Sequence, residues 1–323
     1  MERRDPVAVT GPAPCHPNYG TIGYLRKLAS VLLLGGECGQ VGDNMAVVAG
    51  GRSKAGRTEA ERSLRPELEG ILVEHLDDVA QLTIDAPPLN LLSLPIISSL
   101  IAAFETSATH PRTRCIVLRG AGTRAFSAGA KLDPARASEG GATGRELGRT
   151  LVRRIENSPK PVIAAIRGWC IGGGFALAQA CDIRVASHDA IFRTGDAYIG
   201  VVPSWGISLT RLAHFVGRNR ALDLLVLGED VVAEGAREMG LVTKVFPADE
   251  FDHRCAELAK RIAGGSPLVF QAIKEGVHAQ YYHSPDAAMD IETRWAERME
   301  GSHDMREGIA ALKDRRKPNF QGK

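Results

Sequence analysis

The chain has 323 residues, 44% hydrophobic and 24% charged, which is enough to bury a full core. A formal net charge of +2 is too small to mark a nucleic-acid surface, and the aromatic residues, at 5%, are not interleaved with basic clusters. Six cysteines and nine histidines lack the paired spacings of zinc or redox motifs, so no metal is expected, and a reducing, cytoplasmic setting is.

Residues 1–67 differ from the rest. Pro6, Pro12, Pro14 and Pro17 interrupt any period, and residues 50–57 read as a flexible basic link. This stretch reads as a disordered or misannotated N-terminal extension, with Met45 as an alternative start. Its apolar run at 28–34 is too short to cross a bilayer, and no membrane span is expected. From Gly70 onward, strand-like and helical pieces alternate. Residues 71–74 and 79–84 form a hairpin-like pair around 75–78, and residues 94–107 repeat apolar side chains at helical spacing. Runs starting at Cys115, Val162 and Ile183 read as strands separated by helices, an α/β pattern with largely parallel pairing. Residues 251–263, 267–282 and 285–299 read as helices with Pro and Gly at their breaks.

Two glycine-rich turns stand out. Ser127-Ala128-Gly129-Ala130 follows the strand-like Cys115 run, and Ile171-Gly172-Gly173-Gly174 follows the Val162 run and opens a helix from Phe175 to Ala180. Glycine lets main chain approach a ligand closely, and a helix start presents unpaired N–H groups to negative charge. Together the turns can offer two N–H donors to one oxyanion. Neither has the Lys-Ser/Thr ending of a phosphate loop or the spacing of a dinucleotide fingerprint, which removes nucleoside triphosphates and nicotinamides from consideration.

The order of motifs resembles the crotonase (enoyl-CoA hydratase/isomerase) superfamily from about Gly70 to Gly322. The resemblance is carried by Pro87-Pro88-Leu89-Asn90, Phe126-Ser127-Ala128-Gly129-Ala130, Lys160-Pro161-Val162-Ile163-Ala164-Ala165-Ile166 and the triple glycine. It continues through Ala180-Cys181-Asp182, Ile199-Gly200-Val201-Val202-Pro203 and Gly240-Leu241-Val242. It implies a spiral of ββα turns, with two perpendicular sheets ringed by helices. It also implies an acyl-CoA-binding core over 68–263 and a C-terminal helical oligomerisation region over 264–323, giving a homotrimer or a dimer of trimers. The N–H groups of Ala130 and Gly173 would form an oxyanion hole for the thioester carbonyl. Substrate contacts would fall at Ala128, Lys131, Leu132 and Asp133, with Trp205 lining the acyl pocket. No cofactor is implied, since coenzyme A enters with the substrate. In the tail, Phe320 with the preceding Arg315, Arg316 and Lys317 suits adenine and phosphate, although a solvated basic tail fits equally well.

Hydratases of this superfamily carry two glutamates that hold a water. Here the first position is Ala176 and the second falls at Asp196. A single carboxylate suffices to move a proton between two carbons, so the resemblance points to Asp196 as the lone acid/base and favours double-bond isomerisation. Water activation by Asp196 alone, in a hydratase or hydrolase, is the alternative, and a non-catalytic binding subunit is another. On its residues alone Asp196, between Gly195 and Ala197, also reads as a turn aspartate bonding its own backbone. Lys131 stands where the family has aspartate, and is either a phosphate contact or an ordinary solvated lysine.

Overall fold

The structure, a computed structural model, describes residues 68–132, 140–205 and 208–323, which belong to one compact unit. The predicted hairpin is present: β1 (Ile71–Leu76) pairs antiparallel with β2 (Val79–Ile84), and Asp77 takes the left-handed turn at φ 54. Helix α1 (Leu94–Thr109) starts where Ser93 Oγ accepts from the Ile96 N–H, with proline in the first turn. Strands β3 (Cys115–Gly120) and β4 (Ala125–Ser127) follow, then α2 (Gly140–Glu156). The next repeat is β5 (Val162–Ile166), β6 (Trp169–Ile171) and α3 (Gly173–Ala180), and β7 (Ile183–Ser187) and β8 (Ile191–Arg193) begin a third.

Each repeat sends its first strand to one sheet and its second to another. Helices α4 (Ser208–Val216) and α5 (Arg218–Leu227), the short β9 (Val231–Val232), α6 (Ala233–Glu238) and β10 (Lys244–Phe246) complete the two layers. The larger sheet runs β1-β2-β3-β5-β7-β10, parallel except for β1 with β2. The smaller runs β4-β6-β8-β9, parallel except for β8 with β9. This is the ββα arrangement expected from the sequence.

Successive side chains on a strand point to opposite faces, and both faces of the large sheet are covered. Ile116, Leu118, Val162, Ala164 and Ile166 face the main core with α1, α2 and α3. Cys115, Val117, Ile163 and Ala165 face α7 (Phe251–Ala263), through Phe251, Cys255 and Ala259. A strand buried on both sides reads as a continuous apolar run, as β5 does. The cysteines at 115, 170, 181 and 255 are free and buried, and burial pushes the Cys115, Cys181 and Cys255 thiols up to about 12. They act as small apolar side chains.

Helices α8 (Pro267–Tyr282), α9 (Pro285–Met299) and α10 (His303–Asp314) form the C-terminal part, of which α10 was not expected as a separate helix. Asp182, in the Cys181-Asp182 motif, fastens α8 to the sheet. Its Oδ2 accepts from the Val162 N–H and from Lys274 Nζ, each at 2.7 Å. Among the described residues no helix is long and apolar enough to cross a membrane.

Candidate active site

The first glycine turn follows β4 and rests on a brace built by Asn90. This buried residue takes φ 53, a left-handed conformation that asparagine tolerates better than most side chains. Its Nδ2 donates to Ala121 O at 3.0 Å and Ala125 O at 2.7 Å, and its Oδ1 accepts from the Ala86 N–H at 3.1 Å. Ser127 Oγ then donates to Asn90 O at 2.7 Å and accepts from the Gly129 N–H at 3.1 Å, tying brace to turn. Beyond it, Leu92 N–H bonds Gly129 O and Leu92 O accepts from the Lys131 N–H, a parallel bridge between Leu92 and Ala130. That pattern uses the groups flanking Ala130, so the Ala130 N–H faces the opposite side.

The second turn meets the first. Gly129 has φ +91, and a Cβ placed on it would lie 2.9 Å from Ile171 O and 3.0 Å from Gly173 N. Gly172 caps α3 at φ 52 and ψ −116, leaving the Gly173 N–H as the first of the helix, where no intrahelical acceptor exists. Main-chain contact thus sets the turn that carries the Ala130 N–H against the helix start that carries the Gly173 N–H. A Cβ on Gly174 would overlap Ser127 O. Gly174→Ala is therefore expected to cost about 1–3 kcal/mol by overpacking, lowering the calorimetric melting temperature by about 2–4 °C per kcal/mol. An unchanged melting temperature would mean that the two turns do not touch.

Asp196 lies in the 3-10 turn Gly195–Ile199 that follows β8. It is half-buried, and its Oδ1 is 3.8 Å from the point where a Gly172 Cβ would sit, in the second glycine turn. Burial pushes its carboxyl above the ordinary value, and a bond from its own backbone N–H opposes this. The bond to its own backbone expected of a turn aspartate is thus present. Ala176, one turn into α3, is buried and brings no carboxylate. Trp205 is 9% exposed, with three ring atoms 3.0–3.2 Å from the Cβ position of Gly173.

The other expected contacts divide. Ala128 is buried in the first turn, whereas Lys131 and Leu132 are exposed just beyond Ala130. Asp133 lies outside the described residues. Phe320 has partners within the tail region: its ring packs near Gly308 of α10, and its carbonyl accepts from Arg114 Nη2 at 2.7 Å. The tail is docked here. Buried Asp304 accepts from the Gln321 N–H at 2.7 Å and from Ser266 Oγ at 2.8 Å, and Arg316 pairs with Glu307.

The structure also assembles residues that sequence reading left without a role. Arg193 O accepts from the Gly172 N–H at 3.4 Å, and its guanidinium lies 5.1 Å from the Trp169 ring centre and pairs with Asp230. Thr194 Oγ1 donates to Leu224 O at the end of α5. Arg193 thus bonds the second glycine turn just ahead of the turn that carries Asp196, and Thr194 ties the same segment to α5. The Asp230 partner follows from the antiparallel β8–β9 register, which no local spacing announces.

A family model described as enoyl-CoA hydratase/isomerase matches residues 74–323. A probable enoyl-CoA hydratase of Bacillus subtilis (strain 168) is 36% identical over 250 residues, spanning 76% of this chain and 95% of that one. A peroxisomal Delta(3,5)-Delta(2,4)-dienoyl-CoA isomerase of Arabidopsis thaliana is 34% identical, spanning 75% of this chain and 92% of that one. Among solved structures, an enoyl-CoA hydratase from Bacillus anthracis superposes with a TM-score of 0.75 at 30% identity, covering 79% of this chain and 100% of that one. With the two opposed glycine turns and the ββα spiral in place, these likenesses establish that the chain belongs to the enoyl-CoA hydratase/isomerase family.

Proposed function

We propose that this enzyme shifts the double bond of an enoyl-CoA, with Asp196 as its one acid/base and the Ala130 and Gly173 N–H groups holding the thioester oxygen. The observation that carries this reading is the half-buried Asp196 carboxyl beside Gly172, with only the Ala176 methyl where a second carboxylate would stand. Asp196 takes the proton from the carbon next to the thioester. The C–H electron pair becomes a carbon–carbon π bond and the carbonyl π pair moves onto oxygen, whose charge the two N–H groups stabilise. The same carboxyl returns the proton to the far end of the dienolate, so the double bond moves and no atom is gained or lost. Preorganised donors need no rearrangement at the moment of reaction, and a raised carboxyl pKa brings the base nearer the pH at which it must work. Likeness to a dienoyl-CoA isomerase supports this chemistry, and likeness to hydratases supports the thioester. The same reading includes a homotrimer or dimer of trimers, supported by exposed apolar side chains such as Val202, Val226 and Leu312.

A panel of enoyl-CoA thioesters followed by mass spectrometry and NMR tests the proposal. The expected product has unchanged mass and a displaced double bond. Ala176→Glu, which restores a second carboxylate, is expected to raise the fraction of product that has gained one water. Predominant water addition by the unaltered enzyme would replace isomerisation with hydration through Asp196. Thioester binding without any turnover would make the chain a binding subunit.

A further inference from the structure

We infer that Trp205 closes the inner end of the acyl site and restricts the enzyme to short acyl groups. The inference rests on the thioester placement proposed above and adds a substrate class to it. With the carbonyl oxygen between the Ala130 and Gly173 N–H groups, the two arms of the thioester must leave in different directions. The coenzyme A arm needs solvent, and the chain opens to solvent at Lys131 and Leu132, directly after Ala130. The acyl arm takes the other way, along the first turn of α3 past Gly173.

That way is occupied. Three atoms of the Trp205 six-membered ring lie 3.0–3.2 Å from the Cβ position of Gly173. Other atoms of the indole sit in a notch on α2, where a Cβ at Gly148 would come within 2.5–2.9 Å of three of them. Both helices thus present glycine to the same indole, and neither could carry a side chain there without displacing it. Next to the notch, Arg149 Nε donates to Ser204 O at 3.3 Å and fastens the main chain that carries the ring. A close-packed aromatic held between two helices is a wall, because an interior of this density yields little to an extra methylene.

Saturated acyl-CoA thioesters, which bind without reacting, give a test that does not depend on which reaction is catalysed. Titration calorimetry of the full chain with butanoyl-CoA and decanoyl-CoA is expected to show at least about tenfold preference for butanoyl-CoA, the effect of misfitting even one methylene in a closed pocket. Trp205→Ala is expected to remove that preference by strengthening decanoyl-CoA binding, and Trp205→Phe, which keeps most of the packing, to fall between. Equal binding of both thioesters by the unaltered protein, or an unchanged ratio in both variants, would overturn the wall while leaving the thioester site standing. Failure of both thioesters to bind would remove the site and the wall together.

Discussion

Replacing Asp196 by asparagine is expected to lower turnover by roughly 10²–10⁴-fold, the usual contribution of a positioned acid/base, with thioester affinity nearly unchanged. Asparagine keeps the shape of the side chain and its place beside Gly172, but cannot accept the substrate proton. A loss in kcat without a matching change in binding marks an interaction made in the transition state. Steady-state kinetics together with titration of a saturated thioester separates the two. Loss of binding in parallel with turnover would instead assign Asp196 to shaping the turn Gly195–Ile199.

The direction of the Asp196 shift adds two consequences. Burial raises its carboxyl pKa in the folded protein, and the base is active only when ionised. The acid limb of kcat/KM is therefore expected above the ordinary carboxylate value of about 4. The folded state also binds this proton more tightly than the unfolded state does. Stability contributed by the group is present at low pH and declines as pH rises from the ordinary value through the raised one. At neutral pH the ionised, half-buried carboxylate therefore lowers stability, and Asp196→Asn should melt higher than the unaltered protein while being far less active.

Removing the Gly173 N–H is expected to have the second-largest effect. Proline is tolerated at the first position of a helix, where the N–H has no helical acceptor, so Gly173→Pro deletes the donor while leaving α3 able to form. Any Cβ at this position presses on Trp205, and Gly173→Ala is the matched variant that bears that contact but keeps the N–H. The proline variant should be slower than the alanine variant by about 10²–10³-fold, the loss associated with one oxyanion donor. Equal rates in the two variants would place the thioester oxygen elsewhere.

Much of this site is legible in the chain because its parts are local. A triple glycine before an apolar helix announces a helix start with free N–H groups, and the runs at Cys115 and Val162 are apolar enough to reveal strands covered on both faces. Helix α2 was expected between the Cys115 and Val162 strands but without bounds, and the room that its Gly148 leaves for Trp205 is announced by no spacing. The Asn90 brace and the Arg193–Asp230 pair were equally hidden. Apart from Ala86, their partners are 31 to 37 residues away and are selected by strand order and register rather than by spacing. The Phe320 ring sits against Gly308, a placement decided by the buried Asp304 gathering the tail, which composition alone could not specify.

In the proposed reaction one carboxylate, Asp196, moves the substrate proton beneath the two backbone donors. Exchange of the hydrogen next to the thioester with solvent deuterium, followed by NMR on a β,γ-unsaturated acyl-CoA, tests it most directly. The unaltered enzyme, with its carboxyl proton exchanging with solvent, should place deuterium on the far carbon as the double bond migrates and on the carbon next to the thioester when the step reverses, and Asp196→Asn should leave both unlabelled while still binding the thioester. Labelling by Asp196→Asn at the rate of the unaltered enzyme would contradict the account and give the proton to another group.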